Sequence, residues 1–178
     1  MLKKLLVTGA ILASATTVAL ANGTPYVGAG LGIKAIGGER YTPFNVFAGY
    51  GAIVSPGLYL AGELNADITS ANLSDTDFFK TTYGLGASVI PGLMLSDNTM
   101  LYGRLGLVRA KFRTPNSLEN GGQLGVGLQT RVTQNLDLRG EYIYTKYSSF
   151  SYRVDGVKIN ISSPTADQFN LALVYKFE

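Results

Sequence analysis

Ala166-Asp167-Gln168-Phe169-Asn170-Leu171-Ala172-Leu173-Val174-Tyr175-Lys176-Phe177 is the stretch that decides the fold of this chain. Successive side chains of an extended strand point to opposite faces. One face here is Phe169, Leu171, Leu173, Tyr175 and Phe177, and the other is Gln168, Asn170, Ala172, Val174 and Lys176. The first face is continuously oily, the second polar or small, and an aromatic residue closes the run. At the other end, Met1-Leu2-Lys3-Lys4 precedes an apolar run and Ala19-Leu20-Ala21. That is the layout of an export leader, with cleavage expected after Ala21. An exported chain with one-sided greasy strands points to a transmembrane β-barrel.

The leader would occupy residues 1–21 and leave 22–178, enough for one domain. Its removal takes Lys3 and Lys4 from the 15 basic residues and leaves 13 against 12 acidic ones. A charge so near neutral gives no reason to expect nucleic acid. Neither Cys nor His is present. Disulfides, the usual zinc ligands and the His-dependent catalytic arrangements are therefore excluded, and no cofactor or metal is expected. Charged residues are 15% of the chain, against about 25% in soluble domains. Yet beyond the leader no apolar run approaches the roughly 20 residues of a membrane helix.

Period-2 alternation recurs in Tyr26–Ile33, Phe44–Val54, Leu58–Asp67, Phe79–Leu95, Met100–Phe112, Gln123–Val132, a segment from Leu136, and the closing run. The first sets Val27, Ala29, Leu31 and Ile33 against Gly28, Gly30 and Gly32. The alternation has exceptions. Phe47 and Tyr59 fall among the small and polar positions, and Arg109 and Lys111 fall on the oily face near the distal end of their strand, where they can snorkel out of hydrocarbon. Pro91 lacks a ladder donor, so a bulge or bend is expected there.

Connections alternate in length. Ser55-Pro56-Gly57, Ser96-Asp97-Asn98 and Thr133-Gln134-Asn135 are tight turns. Longer connections are expected around Lys34–Pro43, Ile68–Phe78, Arg113–Gly122 and Lys146–Thr165. Short turns on a periplasmic rim and long loops on the outer one make the pattern of a membrane barrel. The last loop holds Asp155-Gly156 between two alternating segments, a type I′ hairpin signal. Strands seven and eight are expected to continue there as a surface ribbon, Phe150–Ile161, carrying Tyr152, Arg153, Asp155, Gly156 and Lys158.

Alternation alone does not say which face points inward. A soluble barrel would put the oil inside, but its exterior would then be built of Gly and Ala. Small residues instead suit the narrow lumen of eight strands, and lipid demands a closed sheet with every backbone group paired. Phe44, Phe79, Phe112, Tyr144, Tyr175 and Phe177 would form interfacial girdles. The expected fold is all-β, an eight-stranded antiparallel up-and-down transmembrane β-barrel. Its lumen would then hold Glu63, Arg104, Arg131, Asp137, Arg139, Glu141 and Lys176. Buried charges must pair. Glu63 is expected to pair with Arg139 or Arg104, and Glu141 with Arg131 or Arg139. Carboxylates set among arginines stay ionised, which argues against acid–base catalysis, so no catalytic residue is expected.

Tyr59-Leu60-Ala61-Gly62-Glu63-Leu64, Leu101-Tyr102-Gly103-Arg104-Leu105-Gly106, Thr133–Tyr142 within Gly125–Tyr142, and Leu173-Val174-Tyr175-Lys176-Phe177 resemble small outer-membrane β-barrels of the OmpA-like and opacity-type family. The resemblance implies a lumenal salt bridge between an inward Glu on the third strand and an inward Arg on the seventh, positions held here by Glu63 and Arg139. It also implies a closing aromatic read by the barrel-assembly machinery; this chain departs by adding Glu178 after Phe177. A periplasmic wall-binding domain is not expected. Relatives of this kind serve as envelope scaffolds, narrow pores or surface adhesins. The expected role is a monomeric scaffold of the Gram-negative outer membrane with a largely plugged lumen and adhesin-like loops. Its expected partners are outer-membrane lipid, lipopolysaccharide and a host or matrix surface protein. The alternative is a small passive or gated porin-like channel.

Overall fold

The computed structural model describes residues 23–72, 81–112, 118–154, 157–161 and 163–177. Side chains at 39, 69–72, 81–82, 112, 150–154 and 157–161 are outside the description. The leader, Glu178, Phe79 and the Asp155-Gly156 turn also lie outside the described residues.

Eight strands close into one antiparallel barrel: β1 (Thr24–Ile36), β2 (Glu39–Ser55), β3 (Leu58–Asn72), β4 (Thr81–Met94), β5 (Thr99–Phe112), β6 (Leu118–Arg131), β7 (Leu136–Tyr147) and β10 (Thr165–Lys176). Each pairs with its neighbour in sequence, and β10 pairs with β1 through Val27↔Tyr175, Leu31↔Leu171 and Ile33↔Phe169. The run that opened the sequence reading is thus the strand that closes the sheet and removes its edges.

The oily face points outward. Val27, Leu31, Ile33, Leu64, Leu85, Leu105, Leu107, Leu124, Phe169, Leu171 and Leu173 are exposed, as are Phe44, Tyr144, Tyr175 and Phe177 of the expected girdles. The inward face buries the polar residues and a set of aromatics. Here the two exceptions acquire a reason. Phe47 and Tyr59 turn into the lumen with Tyr26 and Tyr102, over positions where the facing strand carries no side chain. Phe47 lies opposite Gly28 and Tyr102 opposite Gly127. A Cβ at Gly28 would meet the Phe47 ring, and one at Gly127 would approach Tyr102 Cζ to 2.5 Å. Glycine and aromatic positions therefore form matched pairs that fill the lumen without overpacking.

Three expectations change. The connection expected around Lys34–Pro43 is a two-residue hairpin, Gly37 (φ 59°) and Gly38 (φ 89°), the left-handed geometry of a type I′ turn. Strands β2 and β3 run for 17 and 15 residues, beyond the 9–11 or so needed to cross a bilayer. Much of what reads as loop is therefore barrel wall. Of the bulge or bend expected at Pro91, the bulge does not form: β4 pairs with β5 up to Val89↔Leu105 and resumes at Gly92↔Tyr102 in the same register. The missing donor interrupts the ladder without adding a residue. The surface ribbon forms as β8 (Phe150–Val154) and β9 (Val157–Ile161), but as a separate two-stranded sheet and not as a continuation of β7 and β10.

Candidate functional site

Inward parity on β3, β5, β6, β7 and β10 brings six charged groups into one connected chain. Glu63 on β3 lies at its centre and is 3% exposed. Its Oε1 accepts from Arg104 Nη2 at 2.5 Å, and its Oε2 from Arg139 Nη1 at 2.6 Å and from the Tyr26 hydroxyl at 2.9 Å. Arg104 is held from its other edge by Glu141, Nε to Oε1 at 2.5 Å and Nη2 to Oε2 at 3.2 Å, and donates through Nη1 to Ser88 Oγ at 3.1 Å. The Glu141 contact is forked and charge-assisted, and Glu63 adds a single charge-assisted bond at the shared Nη2.

Arg139 continues the chain towards the rim that carries both termini. Its Nε and Nη2 donate to Gln129 Oε1 at 2.9 and 2.8 Å. Gln129 Nε2 donates to Asp137 Oδ2 at 2.6 Å, and Asp137 pairs with Lys176 at 2.5 Å. The rings of Phe47, Tyr102 and Tyr26 surround the Arg139 guanidinium at 4.5, 5.1 and 5.5 Å, a cation–π cage. The sequence Glu141, Arg104, Glu63, Arg139, Asp137, Lys176 alternates in sign and sums to zero, which is what a low-dielectric lumen requires.

Glu63 thus meets both arginines named for it. Glu141 does not pair as expected: its partner is Arg104, not Arg131 or Arg139. Arg131 has inward parity but is exposed at the rim, too far along its strand to reach mid-lumen. It lines an open-mouthed cavity of about 350 Å³ with Asp97, Gln134, Asp137, Lys176 and Tyr59. Of the surface ribbon, the structure gives the backbone pairing Tyr152↔Ile159 and Arg153↔Lys158. The side chains of Tyr152, Arg153 and Lys158, and all of Asp155 and Gly156, are outside the description.

A second polar cluster was missed by sequence reading. Lys34 Nζ lies 3.4 Å from Asp67 Oδ2, Asn45 Nδ2 donates to Asp67 Oδ1 at 2.7 Å, and Gln168 Nε2 lies 3.4 Å from the same oxygen. Gln168 also donates to Asn170 at 2.9 Å. Beyond it, Ile36, Tyr41, Val108, Ala110, Tyr147 and Ala166 form an apolar cluster at the far end of the lumen. Lys34 continues the inward parity of Gly28, Gly30 and Gly32, and Gly37-Gly38 is a hairpin signal. Those two features would have kept it in the strand.

Comparison with known proteins places this geometry. A family model for the outer membrane protein β-barrel domain matches residues 5–177. Neisserial surface protein A is similar in structure at 18% identity and a TM-score of 0.52, over 87% of this chain and 97% of that one. Ail, the attachment invasion locus protein of Yersinia pestis, is similar at 14% identity and a TM-score of 0.51, with the same coverage. A major outer membrane protein of Thermus thermophilus is similar at 13% identity and 0.52, over 86% and 99%. No curated protein sequence matches. The closed eight-stranded sheet with its oil outward and its charges inward, and a family match along nearly the whole chain, make this chain a member of the outer membrane β-barrel family of bacteria.

Proposed function

We propose that the protein is a non-conducting outer-membrane scaffold that presents its outer rim and ribbon for surface contact. The observation that carries this reading is the Glu141–Arg104–Glu63–Arg139 chain with its ring of Tyr26, Phe47 and Tyr102. These side chains are each no more than 6% exposed, and eight strands enclose little more than side chains. With no His or Cys in the chain, the reading is also non-enzymatic. Export by a leader cleaved after Ala21 and assembly through the terminal aromatic strand belong to the same proposal. In a planar bilayer the inserted protein is expected to give no steady openings. Steady openings from the parent protein would reject the plug.

The second reading, a small passive or gated pore, draws on one observation. Asn65 Oδ1, Gln123 Oε1, Gln168 Oε1 and Asn170 Nδ2 are buried without a hydrogen-bond partner among the described residues. A hydrated lumen would satisfy them.

For the surface role, among the described residues β8 and β9 pair only with each other, which leaves one edge of each for a partner strand to add to. Deleting residues 153–158 is expected to abolish binding of cells to immobilised matrix protein while the barrel stays resistant to SDS. Undiminished binding would remove the ribbon from the proposal.

A further inference from the structure

The cavity of about 350 Å³ at the short-turn rim lies between the lumenal plug and solvent. Its mouth has two unlike sides. Along the arc from the β4–β5 turn through β6 and β7 to β10 stand Asp97, Arg131, Asp137 and Lys176, alternating in sign and summing to zero. Across from them, on β2, β3 and β4, the wall is Ile53, Tyr59 and Met94. The floor includes Tyr26 and Met100, members of a buried apolar cluster.

One rung of the charged arc is incomplete. Arg131 and Asp137 stand opposite each other in the β6–β7 register, about 5 Å apart between backbones. Yet no ion pair joins them among the described residues. Asp137 is 2% exposed. Its Oδ2 takes both Gln129 Nε2 and Lys176 Nζ, while its Oδ1 has no hydrogen-bond partner among the described residues. Leaving a buried carboxylate oxygen unpaired is costly. Arg131 is exposed and meets no carboxylate among the described residues. The oxygen lacks a cationic donor and the guanidinium lacks an anionic acceptor. A simple cation would serve Asp137 but face Arg131 and Lys176, and a simple anion would serve Arg131 but face Asp97 and Asp137. A molecule carrying both charges serves both groups.

We propose that this cavity binds a small apolar zwitterion, its ammonium on Asp137 Oδ1, its carboxylate on the Arg131 guanidinium and its side chain against Ile53, Tyr59 and Met94. That is the chemistry of an apolar α-amino acid or of a short peptide with free ends. The volume is at the small end of the ~300–1,000 Å³ range of ligand pockets, which keeps larger molecules out. The rim of short turns faces the periplasm in barrels of this kind, so the ligand is a periplasmic solute. The site is independent of whether the lumen conducts, so its failure and the failure of the scaffold reading are separate results.

The test titrates free leucine into the full protein in detergent micelles and follows the backbone amides of residues 97–98 and 131–137 by NMR. Saturable shifts are expected there. N-acetyl-leucine, without the ammonium, and leucinamide, without the carboxylate, are each expected to bind about tenfold more weakly. Glycine, without the side chain, is expected to lose about tenfold as well. Arg131→Gln is expected to weaken leucine about tenfold and to leave leucinamide unchanged, a split that a merely structural role would not give. Arg131 is exposed, and SDS-resistant gel mobility checks folding. Leucyl-leucine, titrated alongside, separates the two sources, since the tighter of the two zwitterions names the ligand class. Absence of saturable shifts with both zwitterions, equal binding of the acetylated or amidated form, or parental leucine affinity in Arg131→Gln would overturn the proposal.

Discussion

Replacing Glu63 by Ala is expected to lower the unfolding free energy of the barrel by about 3–5 kcal/mol, read from urea titration of the micelle-folded protein. One carboxylate holds two guanidiniums here, Arg104 at 2.5 Å and Arg139 at 2.6 Å, with all three side chains nearly inaccessible. Its loss leaves Arg104 with Glu141 alone and Arg139 with the uncharged Gln129 as its hydrogen-bond partner, and an arginine cannot shed its proton. The rings around Arg139 attract a cation but supply no charge, so they offset only part of the cost. The argument concerns an unpaired charge and not the worth of an ion pair, since exchanging a whole buried pair for apolar groups is often neutral. Removing Arg139 as well should therefore restore part of the loss. In the Glu63→Ala, Arg139→Ala double variant the two effects should fall short of additivity by about 1–3 kcal/mol. A Glu63→Ala barrel that unfolds at the parental urea midpoint would show that this carboxylate does not hold the lumen together.

What could be read from the sequence follows from what a period of two fixes. Parity assigns a side chain to a face, and a one-residue slip would turn the whole oily set inward. The inward placement of Glu63, Arg104, Asp137, Arg139, Glu141 and Lys176 therefore followed once the oil was put outside. Parity says nothing about height along the axis. Choosing between Arg104, Arg131 and Arg139 as the partner of Glu141 needs the stagger of β5, β6 and β7, which arises only on closure. Arg131 and Arg139 share a face, but Arg131 ends β6 at the rim. Strand ends were the other blind spot. Apolar alternation stops where hydrocarbon stops, whereas the hydrogen-bonded ladder continues. Lys34 therefore read as loop although it lies within β1, opposite Gln168 and Tyr41. Phe47 looked like an error of pattern because its reason, the bare backbone of Gly28, lies on another strand.

The second large effect is expected at Asp67, whose partner Lys34 that blind spot concealed. Asp67→Ala should cost about 2–3 kcal/mol, less than Glu63→Ala despite similar burial. Lys34 is 1% exposed and would lose its carboxylate, while Asn45 and Gln168 would lose an acceptor. A buried donor left without a partner costs about 1–3 kcal/mol. The charge itself costs less than at Glu63, because a lysine can release its proton and an arginine cannot. Asp67→Asn, which keeps an acceptor oxygen and removes the charge, should fall between the parent and Asp67→Ala. The damage should also be local. Asp67 ties β3 to β1, β2 and β10 near the outer end, so amides of residues 34–41 should exchange faster with solvent while those around Arg139 stay protected. No hydrogen bond among the described residues joins this cluster to the Glu63 chain. The Glu63→Ala and Asp67→Ala penalties should then add to within about 0.5 kcal/mol. A larger departure would mean that the two layers are coupled through the lumen between them, and that the plug acts as one unit over the height of the barrel.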